Sequence, residues 1–235
     1  YRVDDVFSRA AAELGSPLYQ VAECCACDTV QLGESGTRFH ANIAGTPFRD
    51  LFLPLPGAHQ VHNALTALLI VQVAGLLPGE QAVRRALASV NLPARMEQRL
   101  LWGRRFLFDA AHNGDSARVL AAAVRGIYTY GRLITVVGIV KGKDERSILE
   151  QLAGVSDVLI VTEPVTHKEL DTPGVLAAAR RLRPECLLVR DIGRALRTAV
   201  EMSTARDLIL VTGSFYTIAP ARAYLQEHGV ARGSV

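Results

Sequence analysis

Residues suited to chemistry recur in this chain at the ends of apolar runs. In Phe106-Leu107-Phe108-Asp109-Ala110-Ala111-His112-Asn113, a hydrophobic strand delivers an acid, an imidazole and an amide within five residues. Asp109 can accept hydrogen bonds from a sugar hydroxyl, and His112 and Asn113 can approach a phosphate or a carboxylate. A strand end whose Asp or Asn caps the next helix accounts for the same spacing about as well. A second run, Val136-Val137-Gly138-Ile139-Val140-Lys141-Gly142-Lys143-Asp144, passes into a basic turn. It lacks the G-x-x-x-x-G-K-[ST] spacing of a phosphate loop, so a solvated turn capped by Asp144 is the better reading. In Leu208-Ile209-Leu210-Val211-Thr212-Gly213-Ser214-Phe215, Gly213 permits close backbone approach to a ligand and Ser214 offers a hydroxyl at a helix start. A plain capped turn explains that run equally.

Two further groups lie upstream. In Gly57-Ala58-His59-Gln60-Val61-His62-Asn63-Ala64, His59 and Asn63 share a helical face, as do His62 and Thr66. With no third ligand nearby and no H-E-x-x-H glutamate, a metal site there is disfavoured. Leu92-Pro93-Ala94-Arg95 places a forked, permanently charged guanidinium between two differently patterned halves of the chain, where clefts commonly bind ligands. Its ordinary alternative is a surface salt bridge.

The elements that must hold these groups follow from the hydrophobic period. Residues 4–14 read as a helix stopped by Gly15 and Pro17. Segments 18–23, 37–43 and 48–53 read as antiparallel strands and hairpins, and 59–74 and 80–89 as helices separated by Pro78 and Gly79. Beyond a boundary at 91–93 the pattern alternates. Strands are expected at 105–109, 133–139, 158–162, 186–189 and 207–212, and helices at 116–126, 144–152, 172–183, 192–202 and 218–227. Alternation of this kind means parallel strands joined by right-handed crossovers: an α/β fold with a doubly wound, mostly parallel Rossmann-like sheet in its C-terminal domain. Ligands of such sheets bind outside the carboxyl ends of the strands, where three of the runs above terminate.

Composition removes several classes. The net charge of +3 comes from 26 basic and 23 acidic residues dispersed along the chain, with no run suited to a phosphate backbone, so nucleic acid is not an expected partner. Cys24, Cys25, Cys27 and Cys186 form neither paired C-x-x-C units nor a spaced framework, which disfavours zinc and disulfides. The longest apolar run, 64–77, is interrupted by Thr66 and Gln72 and is too short to span a bilayer. No signal peptide opens the chain. A cytoplasmic protein without a membrane partner is expected.

Taken in order, His59-Gln60-x-x-Asn63-Ala64, Leu92-Pro93-Ala94-Arg95, Asp109-x-Ala111-His112-Asn113, Val137-Gly138 to Lys143-Asp144 and Gly213-Ser214-Phe215 resemble the Mur ligase superfamily. More narrowly they resemble folylpolyglutamate and dihydrofolate synthases, over residues from about 18 to 227. The last motif separates these from the peptidoglycan amino-acid ligases, which typically carry a different glycine- and histidine-containing sequence at that point. The resemblance implies that residues 1–91, strands plus two helices, end a Mur-ligase-type ATP-binding central domain. Residues 92–235 would then form the C-terminal, or glutamate ligase, domain. It implies that Asn63 contacts adenine, Arg95 reaches the nucleotide phosphates and Asp109 holds the ribose. His112 and Ser214, the catalytic candidates, would face the incoming glutamate or the phosphates.

The implied reaction is ATP-dependent addition of L-glutamate to a folate or dihydropteroate carboxylate. The terminal phosphate of ATP passes to the carboxylate, and the glutamate amino group attacks the acyl phosphate. Such chemistry needs cations around the phosphates more than a nucleophilic side chain. Another Mur-type amino-acid ligase and a non-catalytic ligand-binding or interaction module are the competing readings. Two departures from the family pattern stand out. Ala94 replaces the usual glycine, which makes positive φ costlier at the turn before Arg95. Lys141, Lys143 and Lys168 are the only lysines, so neither the family's phosphate-loop lysine nor its carbamylated lysine is present. Those groups and the Mg2+ ligands are therefore expected in a missing N-terminal half, without which this piece, expected to be monomeric, is inactive.

Overall fold

The computed structural model describes residues 3–228. The chain separates into two compact units, Tyr1–Val90 and Asn91–Val235. The first contains α1 (Val3–Leu14), α2 (Val21–Cys24), β1 (Cys25–Gly33), β2 (Gly36–Ile43), β3 (Thr46–Leu53), α3 (Ala58–Val73) and α4 (Glu80–Ala88). The strands form an antiparallel sheet in the order β1-β2-β3. Thr37, Phe39, Ala41 and Ile43 alternate inward along β2, and Phe39, Ala41 and Ile43 share a core with Val61, Leu65 and Leu69 of α3 and Val83 and Leu87 of α4. The strand expected at 18–23 is absent. Residues 21–24 make a helical turn, and β1 begins at Cys25, where pairing with Ile43 starts. Cys25-Ala26-Cys27-Asp28 has no apolar alternation of its own, so its extended form comes from the β2 partner.

The second unit contains β4 (Glu97–Leu101), β5 (Arg104–Asp109), α5 (Gly114–Ile127), β6 (Leu133–Val137), α6 (Glu145–Ala153), β7 (Val158–Val161), α7 (Thr172–Leu182), β8 (Leu187–Leu188), α8 (Ile192–Met202), β9 (Leu208–Thr212) and α9 (Phe215–His228). Its six strands are ordered β4-β5-β9-β6-β7-β8, with only β4 antiparallel, which is the mostly parallel α/β sheet expected. Strand alternation sorts its two faces. Leu107, Leu133, Leu159, Leu208 and Leu210 pack with α5, α6 and α7; Phe106, Phe108, Ile134, Ile160, Ile209 and Val211 pack with α8 and α9. Burial on both faces explains why these strands read as continuous apolar runs.

Strand β4 lay hidden in the sequence. Its residues Gln98, Arg99 and Leu100 are exposed, and it forms because Trp102 (φ 51°) and Gly103 (φ 68°) make a tight left-handed turn back from β5. Two consecutive positive φ values are what a two-residue hairpin of matching twist requires. Register then sets the carboxyl ends of the central strands side by side: Asp109 pairs with Thr212, and Thr212 with Val137.

Candidate functional site

The tips of β5, β9 and β6 are stitched together by groups that leave little freedom. The Thr212 hydroxyl donates to the Asp109 carbonyl at 2.7 Å, and the Gly138 N–H donates to the Thr212 carbonyl at 3.1 Å. Gly213 adopts φ 105°, and a Cβ there would lie 2.4 Å from the Gly138 carbonyl oxygen. Any side chain at Gly213 would therefore meet both a conformational and a steric penalty. Beside this crossing the Ser214 hydroxyl accepts from the Thr217 N–H at 3.2 Å, and it lies 2.9 Å from the Thr217 hydroxyl and 3.3 Å from the Gly138 carbonyl. Ser214 is 7% exposed, and its hydroxyl is committed to holding the turn into α9.

At the β5 tip the Asp109 carboxylate faces its own loop. Oδ2 accepts from the Met96 N–H and Oδ1 from the Ala111 N–H, each at 3.0 Å. Two of roughly four lone-pair positions are thus filled, leaving acceptor capacity for a ligand hydroxyl. The residue is 7% exposed. Burial pushes its carboxyl up from 3.8 to about 6, against the opposing pull of the two N–H donors, Arg95 and His112. An ionisable group held this far from its ordinary value at a strand tip is typical of functional sites.

The turn carrying Arg95 is locked to the same strand tip. Ala94 and Met96 adopt φ 59° and 51°, so the alanine enters the left-handed region despite its side chain. That conformation costs roughly 1–2 kcal/mol per residue. It is held by the Ala110 N–H donating to the Ala94 carbonyl at 3.0 Å, by Met96 bonding Asp109, and by the Ala94 N–H donating to Glu97 Oε2 at 2.9 Å. Burial opposes ionisation of Glu97, yet the Ala94 N–H and the Arg99 and Arg222 guanidinia outweigh it and keep the carboxyl below its usual value. The Arg95 guanidinium is half-buried and lies over the Phe215 ring, 5.7 Å from its centroid.

His112 Nδ1 is 2.9 Å from the Ala110 carbonyl. A carbonyl only accepts, so Nδ1 carries the proton and Nε2 is left to a ligand. Asn113 does what a helix cap does: its side chain accepts from the Ser116 N–H at 2.8 Å, and Ser116 answers with a reciprocal bond from the Asn113 N–H. Asp144 likewise caps α6 through the Ser147 N–H. Lys141 pairs with Glu169 at 2.5 Å on the surface, and Lys168 lies over the Tyr216 ring.

Arg95, Asp109 and His112 are therefore gathered at one strand tip, with Ser214 at the tip of the adjacent strand. Asn63 belongs to the first unit; it is exposed on α3, and its amide donates to Gln60 at 3.1 Å. Glu97, Thr212, Thr217 and Arg222 were missed by sequence reasoning. Glu97 sits in an edge strand without apolar pattern, and Arg222 is one arginine among many on helical surfaces. Thr212 could have been found as the last residue of an apolar strand next to Gly213. Among the described residues no group of three or more His, Cys, Asp and Glu could hold a metal ion, and no helix is long and apolar enough to cross a membrane.

The family described as "Mur ligase, glutamate ligase domain" matches residues 94–215. A dihydrofolate synthase/folylpolyglutamate synthase of Mycobacterium tuberculosis is 31% identical over 216 residues, covering 82% of this chain and 43% of that protein. A UDP-N-acetylmuramoyl-L-alanyl-D-glutamate–2,6-diaminopimelate ligase of a Chelativorans species is 32% identical over 178 residues, covering 72% of this chain and 35% of its own length. The structure of Mycobacterium tuberculosis folylpolyglutamate synthase complexed with ADP superposes with a TM-score of 0.88 at 26% identity, covering 95% of this chain and 52% of the other. The chain thus spans less than half the length of the curated relatives it matches.

Proposed function

Because this chain belongs to the Mur ligase family, carrying that family's glutamate ligase domain, we propose that the natural protein containing it is an ATP-dependent ligase that joins L-glutamate to a folate or dihydropteroate carboxylate. The single observation that best supports this reading is the locking of the Arg95 turn onto the Asp109 carboxylate, at the carboxyl end of a parallel sheet. Ligands of doubly wound sheets bind there, and a fixed cation beside a partly satisfied acid suits phosphates joined to a ribose.

On this reading Arg95 contacts the nucleotide phosphates. Asp109 accepts from a ribose hydroxyl with its remaining lone pairs; in residues 1–91, the end of the central domain, Asn63 is the candidate for contact with adenine. Residues 92–235 are the glutamate ligase domain. In the first step a substrate carboxylate oxygen attacks the terminal phosphorus of ATP and ADP departs. In the second the glutamate amine attacks the acyl carbon, phosphate leaves, and the amine proton must be removed. His112 Nε2 is the group here with an open lone pair for that proton, whereas Ser214 acts by shaping the β9–α9 turn against Gly138. Magnesium, when bound, would screen the phosphate charges. Its ligands, the phosphate loop and the carbamylated lysine are proposed to lie in the remainder of a longer protein, since this chain spans less than half the length of its curated relatives. This segment alone is accordingly proposed to be inactive, and the whole protein to be a cytoplasmic monomer.

The similarity to a diaminopimelate ligase favours one competing reading, a Mur-type ligase with a different acceptor. Phosphate release by the natural full-length protein separates the two. Release that requires both L-glutamate and either dihydropteroate or a reduced folate is expected. Release that instead requires a UDP-linked muramoyl peptide and diaminopimelate would transfer the assignment to the peptidoglycan branch, and release with neither would remove it.

A further inference from the structure

Two contacts on the Arg95 segment come from one helix, α9. Phe215 opens α9, with its ring half-exposed under the Arg95 guanidinium at 5.7 Å. Seven residues on, Arg222 donates to Glu97 Oε1 at 3.1 Å. Seven residues are two helical turns, so the two side chains lie on the same face of α9. Glu97 passes the contact to the backbone, since its other oxygen accepts from the Ala94 N–H at 2.9 Å. The Glu97 side chain is only 11% exposed and that of Arg222 27%, so solvent weakens this pair less than an open surface bridge. The turn so held contains two non-glycine residues in the left-handed region and relaxes unless it is fastened.

We propose that α9 is the positioning element for Arg95: Phe215 orients its guanidinium, and Arg222, acting through Glu97, fixes the turn that carries it. Neither residue touches substrate in this scheme; each acts through Arg95. The inference deepens the nucleotide-binding reading and rests on it only for its effect on ligand affinity, because the clamp consists of contacts within the chain.

The test uses the natural full-length protein and has two arms. In the first, the Arg95 Nε–Hε signal, identified by its loss in Arg95→Lys, is followed by 15N NMR. Phe215→Leu should remove the ring-current displacement of Hε and lower the Nε order parameter. Phe215→Tyr should preserve both, and Glu97→Gln should broaden the backbone signals of residues 94–96. An unchanged Arg95 signal in Phe215→Leu overturns the proposal whatever the protein binds. In the second arm ADP is titrated calorimetrically. Phe215→Leu should weaken ADP about threefold, the size of a partly exposed cation–π contact. The Tyr variant should restore affinity, and Phe215→Leu should have no further effect on top of Arg95→Ala. Equal weakening with and without Arg95 overturns the proposal, because Phe215 would then act by itself. If Arg95→Ala leaves ADP binding unchanged, the nucleotide reading fails while the NMR arm still decides the clamp.

Discussion

Substituting Asp109 by asparagine should change how stability depends on pH as well as its level at neutral pH. The wild-type carboxyl titrates near 6 when folded against 3.8 ordinarily, because burial disfavours its charge. The folded protein therefore binds this proton more tightly than the unfolded chain, and stability from this group rises as pH falls from above 6 towards 3.8. At about 1.4 kcal/mol per tenfold change in proton affinity, the whole gap corresponds to about 3 kcal/mol, of which about 2 kcal/mol is realised between pH 7.5 and 4. The substituted side chain has no such proton. Its amide would leave one of the Met96 and Ala111 N–H groups facing another donor, a pH-independent loss of about 1–3 kcal/mol. Urea unfolding of both proteins at several pH values measures the difference. Trp102, the only tryptophan, lies in the second unit and reports on that unit alone. The wild-type advantage over Asp109→Asn should grow by about 2 kcal/mol on acidification from pH 7.5 to 4. Parallel curves would mean that Asp109 titrates as an exposed acid and that the burial argument is wrong.

Arg95→Ala in the natural full-length protein should raise the KM for ATP about ten- to a hundredfold, the equivalent of losing charge-assisted hydrogen bonds, with the urea midpoint little changed. Unaltered ATP kinetics would remove Arg95 from the nucleotide site. Gly213→Ala should destabilise the second unit by about 3 kcal/mol or more, since a Cβ there meets both the positive φ and the Gly138 carbonyl. An unshifted Trp102 unfolding curve would show that the β9 tip is looser than described.

The parallel sheet was legible because strands buried on both faces and helices buried on one leave unlike hydrophobic periods, as Phe106-Leu107-Phe108 against residues 116–126 illustrates. What escaped depended on partners remote in the chain. Strand β4 carries Gln98, Arg99 and Leu100 to solvent and exists through its hairpin with β5. The strand expected at 186–189 shrank to Leu187–Leu188 because, at the sheet edge, it pairs only with β7. The candidate site followed the same rule. Asp109, His112 and Gly213 announced themselves by ending apolar runs, whereas Glu97 and Arg222 matter only because the fold joins residues 125 positions apart. Spacing left cap and ligand even at Asn113, which caps α5, whereas the cap expected at Asp144 is present.

The last strand of the sheet, β9, lies between the first two parallel strands, β5 and β6. A ribosome must therefore release residue 212 before β5 and β6 can be joined, and until then the β4-β5 pair and the β6-β7-β8 group each leave one apolar strand edge open. Closure joins residues about a hundred positions apart, from Arg105 with Leu208 to Asp109 with Thr212, so assembly of this unit should be slow and late. Ribosome-stalled chains lacking β9 should accordingly be captured by chaperones and digested by proteases, and those extending past α9 should resist both.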